Sequence, residues 1–226
     1  MPLRPSIRAF TLVELLTVIA IIGVLAGILI PVVGAARKSS QSSRCVSNLR
    51  QIDMAIRLYA NDHRGTLPGP LWARHGVGYR STSDGNLAQF LAPAYLPSVD
   101  SGGGLFVTEL FKCPAWAATD ATHYQSILSN ITPWRDSKGV SHYPFGNPDK
   151  KDTRPAMTLT MISQYPLART WMLVDMDNPL MAQLGWGTSS DLPQKTIHGS
   201  SRNVLFFDGH VTAVPDSTPL TLVSVP

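Results

Sequence analysis

From Thr11 to Ala36 the chain carries a single charge, Glu14, and Phe10 to Ile30 form a 21-residue run dominated by Leu, Ile and Val. As an α-helix this run spans about 31 Å, close to the hydrocarbon thickness of a bilayer. A core helix of a soluble protein normally shows a polar face, and this run has none. The pattern therefore predicts a membrane-inserting helix. Further on, Cys45, Leu49, Ile52, Ile56 and Tyr59 follow at alternating steps of four and three. That spacing draws one apolar stripe on a helix, with Arg44, Asn48, Gln51 and Asp53 falling off it. Asn61 to Gly65, followed by Pro68, is a stop signal. One long helix is expected over about 10–63, kinked at Pro31, apolar all round over 10–33 and amphipathic over 34–65. Two heptads are too few for a coiled coil, so the stripe is expected to pack into a folded head.

That head, residues 66–226, reads more coarsely. Gly69 to Gly104 is rich in Gly, Pro and Ser, with a short helical candidate at Leu87–Leu91. Met157–Ile162 and Thr170–Val174 read as short strands. Asn203–Phe207 and His210–Val214 flank Asp208-Gly209, which predicts a two-residue hairpin turn with φ > 0 at both positions. The fold class expected is α+β, a long helix packed on a small antiparallel sheet. At 226 residues the chain has room for one soluble domain plus an appendage. Its hydrophobic share of 44% and charged share of 15% fit a folded head attached to an apolar segment.

Membrane insertion leaves three possibilities: a permanent anchor, a conventional secretory signal, or a signal cut ahead of the apolar run. Gly34-Ala35-Ala36 could serve as a conventional cleavage site. It leaves Glu14 unexplained, because a carboxylate near the bilayer centre costs roughly 2.5–3.5 kcal/mol and is usually retained for a partner charge. Phe10-Thr11-Leu12-Val13-Glu14-Leu15-Leu16 resembles the class III signal of type IV prepilins and type II secretion pseudopilins. The resemblance implies that a prepilin peptidase cuts between Ala9 and Phe10, removing a leader over 1–9, and that Phe10 is then N-methylated. Counting from Phe10, Glu14 is the fifth residue, as in that family, and Pro31 falls where many members carry a helix-kinking proline. Ala9 departs from the family's usual glycine. Cys45-Val46-Ser47-Asn48-Leu49-Arg50-Gln51-Ile52 and Phe111-Lys112-Cys113-Pro114 resemble segments of G-type pseudopilin relatives. His198 to Asp208-Gly209 resembles their H-x9-DG element.

On this resemblance the fold is pilin-like and the protein is a structural subunit, not an enzyme. It would sit in the inner membrane as a single-pass protein with a periplasmic head. Its partners would be the peptidase, lipid, an inner-membrane assembly platform and other pilin or pseudopilin subunits. In a fibre, Glu14 would meet the Phe10 amine of a neighbour. An alternative is a minor pilin acting as an adhesin or DNA-uptake module; a membrane-anchored enzyme is the least favoured. Removal of Arg4 and Arg8 leaves 17 basic against 15 acidic residues. Nucleic acid is not an expected partner, since the Arg and His residues between Arg64 and Arg80 form no stripe.

The remaining chemistry-bearing residues have bland readings. His198 and Asp208 could be a base and its orienting partner, but no nucleophile motif accompanies them. The turn accounts for Asp208, and a hydrogen bond onto the hairpin would account for His198. Asp175 and Asp177, with Asp208, could ligate calcium, although loop aspartates more often form turns. No cofactor is otherwise required. Trp72, Trp116, Trp134, Trp171 and Trp186 read as core or loop anchors. Cys45 and Cys113 are the only cysteines. Outside the cytoplasm they could form a disulfide tying helix to head, or remain as two buried apolar thiols.

Overall fold

Helix α1 runs from Leu12 to Asp62, 51 residues, and continues on both sides of Pro31. The computed structural model describes residues 12–80, 82, 85–92, 94–116, 125–130, 134–135, 138–150, 154–189 and 192–220. These form two compact units, divided between Ser40 and Gln41. Pro31 has no N–H to donate to the Gly27 carbonyl, so one helical hydrogen bond is missing there. The helix ends where Arg64 and Gly65 turn to positive φ and Gly65 N–H bonds back to Ala60 O at 2.7 Å.

Among the described residues of the second unit, short strands and three short helices surround the C-terminal part of α1. In chain order they are β1 (Arg74–Gly76), β2 (Gly78–Arg80), α2 (Leu87–Leu91), β3 (Val99–Asp100), β4 (Leu105–Val107), β5 (Gln125–Ser129), β6 (Trp134–Arg135) and β7 (Ser141–His142). Then follow α3 (Leu159–Ile162), β8 (Trp171–Asp175), α4 (Asn178–Gln183), β9 (Ser201–Phe206) and β10 (Val211–Pro215). The main sheet is five-stranded and antiparallel, in the order β1-β5-β8-β9-β10. The architecture is α+β, a long N-terminal helix packed against a small antiparallel sheet.

Alternation along the central strands separates two apolar layers. Ile127, Leu173 and Leu205 point to the side where Leu49, Ile52, Ala55 and Ile56 of α1 are buried. Leu128, Val174 and Val204 point the other way, onto Leu180 and Met181 of α4. Strand β8 is therefore covered on both faces and buried throughout. The register shift between Trp171 and Leu173 lets Met172 and Leu173 both face the helix side.

Three local expectations need correction. Met157–Ile162 is not a strand: Thr158 Oγ1 accepts the Met161 N–H at 3.3 Å and caps α3. A side-chain acceptor in that position competes successfully with the strand preference of so short a run. The β9–β10 loop has three residues, Phe207-Asp208-Gly209, instead of two, because Phe206 N–H bonds His210 O at 2.9 Å. Only Gly209, at φ 94°, needs a positive φ; Asp208 does not have one. Asp53, placed off the apolar stripe by spacing, is buried at 8% exposure.

Candidate functional site

Two regions carry chemistry. In the first unit, Leu15, Leu16, Ile19, Ile22, Leu25 and Ile28 are each more than half exposed. The segment is long and apolar enough to cross a membrane. Glu14 lies in the first described turn of α1, where its backbone oxygen accepts from Thr17 Oγ1 at 3.0 Å. Ala9 and Phe10 lie outside the described residues.

In the second unit a disulfide joins Cys45 of α1 to Cys113, with Cα atoms 5.2 Å apart. Cys113 follows a 3-10 turn at Glu109–Phe111, and Asn48 Nδ2 donates to the Lys112 carbonyl at 3.1 Å beside it. His198 Nε2 lies 3.4 Å from Cys113 Sγ and 3.3 Å from Asp175 Oδ2. Asp175, at the end of β8, also accepts the Asn203 N–H at 3.3 Å. A Cys-His-Asp relay needs the sulfur and the carboxylate on opposite ring nitrogens. Here both face Nε2 and the sulfur is already bonded, so this geometry is not that of an acyl-transfer triad.

The Phe207-Asp208-Gly209 loop sits on α1. Arg57 Nη2 donates to the Phe207 carbonyl at 3.0 Å, and Arg57 Nε donates to Asp53 Oδ2 at 2.8 Å. A Cβ at Gly209 would meet Asp53 Oδ2 at 2.9 Å, so the loop approaches the helix too closely for a side chain there. Burial raises the Asp53 carboxyl above its ordinary range, against the lowering effect of Arg57. Asp208 faces His210, whose N–H and Nδ1 lie 3.1 and 2.6 Å from Oδ1. Burial opposes the ionised Asp208, but the contacts from His210 outweigh it and hold the carboxyl below its usual range. His198 thus bonds to β8 and the disulfide, not to Asp208. The disulfide at Cys45 and the Phe207-Asp208-Gly209 loop at Asp53–Arg57 brace two points of α1.

The three aspartates considered for calcium are committed to separate partners. Asp175 faces His198, and Asp208 faces His210. Asp177 receives Arg202 Nε at 3.0 Å and Nη2 at 3.2 Å, while its Oδ1 caps α4 through the Leu180 N–H at 2.7 Å. Among the described residues, the potential ligands that converge are Cys45, Cys113 and His198 instead. The Asp177–Arg202 pair is buried on both sides, and residue spacing does not reveal it. The signal available is Asp177-Asn178-Pro179, an N-cap followed by an early-turn proline. Arg202→Ala is expected to cost about 3–5 kcal/mol by leaving a buried carboxylate unpaired. The double change Arg202→Met with Asp177→Asn should recover most of that loss, as read by urea denaturation.

The Asp53–Arg57 pair also escapes the sequence reading, although an acidic residue four positions before a basic one is a readable helix pair. Of the tryptophans, Trp134 and Trp171 are buried, whereas Trp72 is exposed at 45%.

A family model of the prokaryotic N-terminal methylation motif matches residues 4–30. This is a prepilin-type signal. The match takes in Ala9, Phe10 and Glu14, and it ends one residue before Pro31. Such a signal implies processing by a prepilin peptidase and pilin-type assembly in general. With the apolar stretch of α1, it is consistent with a single-pass membrane-anchored protein. No curated protein and no solved structure matches the chain.

Proposed function

We propose that this chain is a structural subunit, a pseudopilin or pilin-like protein, of a type II secretion or type IV pilus-like fibre. The observation that carries the reading is the methylation motif over 4–30, which leads into an apolar helix whose described large side chains are exposed. The peptidase removes the leader 1–9, and Phe10 becomes an N-methylated terminus. The protein is the substrate of that enzyme and performs no catalysis of its own. Before assembly the helix rests in the inner membrane with the head in the periplasm. An external motor then extracts subunits into a fibre whose interior is built from the apolar helices.

The physical logic lies in the exposed side chains of α1. In lipid they need no partner, and in a fibre they are covered by neighbouring helices, so the same surface serves both states. The braces at Cys45 and at Asp53–Arg57 hold the head's sheet to the amphipathic part of the helix. Mass spectrometry of the mature N-terminus tests the proposal. The expected result is a chain beginning at Phe10 and one methyl group heavier than the unmodified form. A chain starting after Ala36, or one retaining Met1, would overturn it.

A further inference from the structure

The disulfide has neighbours that a disulfide does not need. His198 and Asp175 are buried beside it, with side chains 6% and 5% exposed; His198 Nε2 faces the sulfur of Cys113, and Asp175 Oδ2 faces the same nitrogen. An inert cross-link is usually surrounded by apolar groups, because burying an imidazole and a carboxylate carries a desolvation cost. The four side chains come from four places in the chain: α1, the turn after Phe111, the end of β8 and the loop before β9. A small cleft lined by Asn48, Leu110, Lys112 and Asp175 opens onto Cys45 and Cys113.

We propose that, when the disulfide is reduced, this cluster is a zinc site. Cys45 Sγ, Cys113 Sγ and His198 Nε2 are the ligands, a solvent molecule is the fourth donor, and Asp175 beside His198 supports the site from outside the ligand set. The disulfide and the metal are alternative occupants of one position. Zinc takes tetrahedral sets of thiolate and imidazole, with solvent in a remaining position. With Zn–S about 2.3 Å and Zn–N about 2.0 Å, tetrahedral S and N donors lie about 3.5 Å apart. The observed Cys113 Sγ to His198 Nε2 separation is 3.4 Å. The two sulfurs and Nε2 are all within 4.8 Å of one another. Thiolate donors favour zinc over the hard, oxygen-seeking calcium.

The chemistry balances as follows. A dithiol reductant supplies two electrons and two protons, the S–S bond becomes two thiols, and the reductant leaves as its own disulfide. Zinc binding displaces the two thiol protons to solvent. The metal then replaces the disulfide as the link between α1 and the rest of the head, so the helix stays attached in either redox state. The inference stands on the head's geometry alone and is independent of the assembly proposal.

Cobalt chloride is the probe, added to the full chain in detergent after reduction with a phosphine and removal of the reductant. The expected result is one cobalt per chain with thiolate-to-cobalt charge transfer and tetrahedral visible bands, displaced by zinc. The oxidised chain should show neither. Cys113→Ser and His198→Gln are expected to weaken binding by about a hundredfold, and Asp175→Asn by about tenfold. Far-ultraviolet circular dichroism checks that each variant is folded. Protection of both thiols from alkylation by zinc in the unaltered chain provides a readout free of substitutions. Absence of the charge-transfer band, equal binding by the oxidised chain, unchanged affinity in a folded His198→Gln chain, or absence of alkylation protection would each overturn the proposal.

Discussion

Glu14→Ala is expected to be inserted and cleaved like the native chain, yet to be lost from the sheared fibre fraction. Insertion should not suffer, because removing the carboxylate removes a cost of roughly 2.5–3.5 kcal/mol at the bilayer centre. Assembly should suffer, because the proposed fibre pairs Glu14 with the Phe10 amine of the next subunit in a water-poor interior. Breaking one side of a buried pair costs about 3–5 kcal/mol, since the other charge is left without compensation. At 1.4 kcal/mol per factor of ten, subunit addition would weaken by at least about a hundredfold. Glu14→Gln separates charge from shape: it keeps the volume and loses the charge, and it should fail almost as completely as alanine. Normal fibre yield from the glutamine variant would remove the ion pair from the account.

Acidification is expected to unfold the head through His75, with about 5 kcal/mol lost between pH 6.5 and pH 3. His75 in β1 is fully buried, and its Nδ1 accepts the Leu87 N–H of α2 at 3.1 Å. Burial lowers its pKa from 6.5 to about 3. The folded state therefore holds a neutral imidazole while the unfolded chain takes up a proton. Stability is intact above pH 6.5 and falls as the pH drops toward the folded value of about 3. Asp208, held low by His210, adds to the loss at the acid end. Asp53 acts in the opposite sense, because burial raises its folded pKa and favours proton uptake by the native state. His75→Asn keeps an acceptor near the Leu87 N–H and removes the titration. Urea midpoints measured from pH 7.5 down to pH 3.5 should fall steeply in the native chain and much less in this variant. Equal slopes would exclude His75 as the main acid-labile group.

Signals that act over a few neighbouring residues are legible in the amino-acid sequence. The uninterrupted apolar run, the stripe from Cys45 to Tyr59 and the stop after Asn61 each follow from helical spacing, and α1 ends at Asp62. The same local reasoning fails where a side chain outside the pattern intervenes. Thr158 caps a helix in a segment rich in strand formers, and Asp53 is buried because the Phe207-Asp208-Gly209 loop descends onto it. Strand β8 is recognisable from its residues, but its burial on both faces is not, since that depends on α4 covering the side away from α1.

The amino-acid sequence by itself determined that the chain has a prepilin-type N-terminus, a membrane-length apolar helix and an amphipathic continuation. Periodicity, charge and a short motif require no knowledge of distant residues. Only the tertiary structure decided that Cys45 lies 5.2 Å in Cα distance from Cys113, that His198 turns to Asp175 instead of Asp208, and that Arg202 neutralises Asp177. It also decided that His75 is sealed from water. Each of these depends on chain segments brought together by closing long loops around two apolar layers. Which polar groups become neighbours inside such a core is a consequence of packing, and residue spacing along the chain does not encode it.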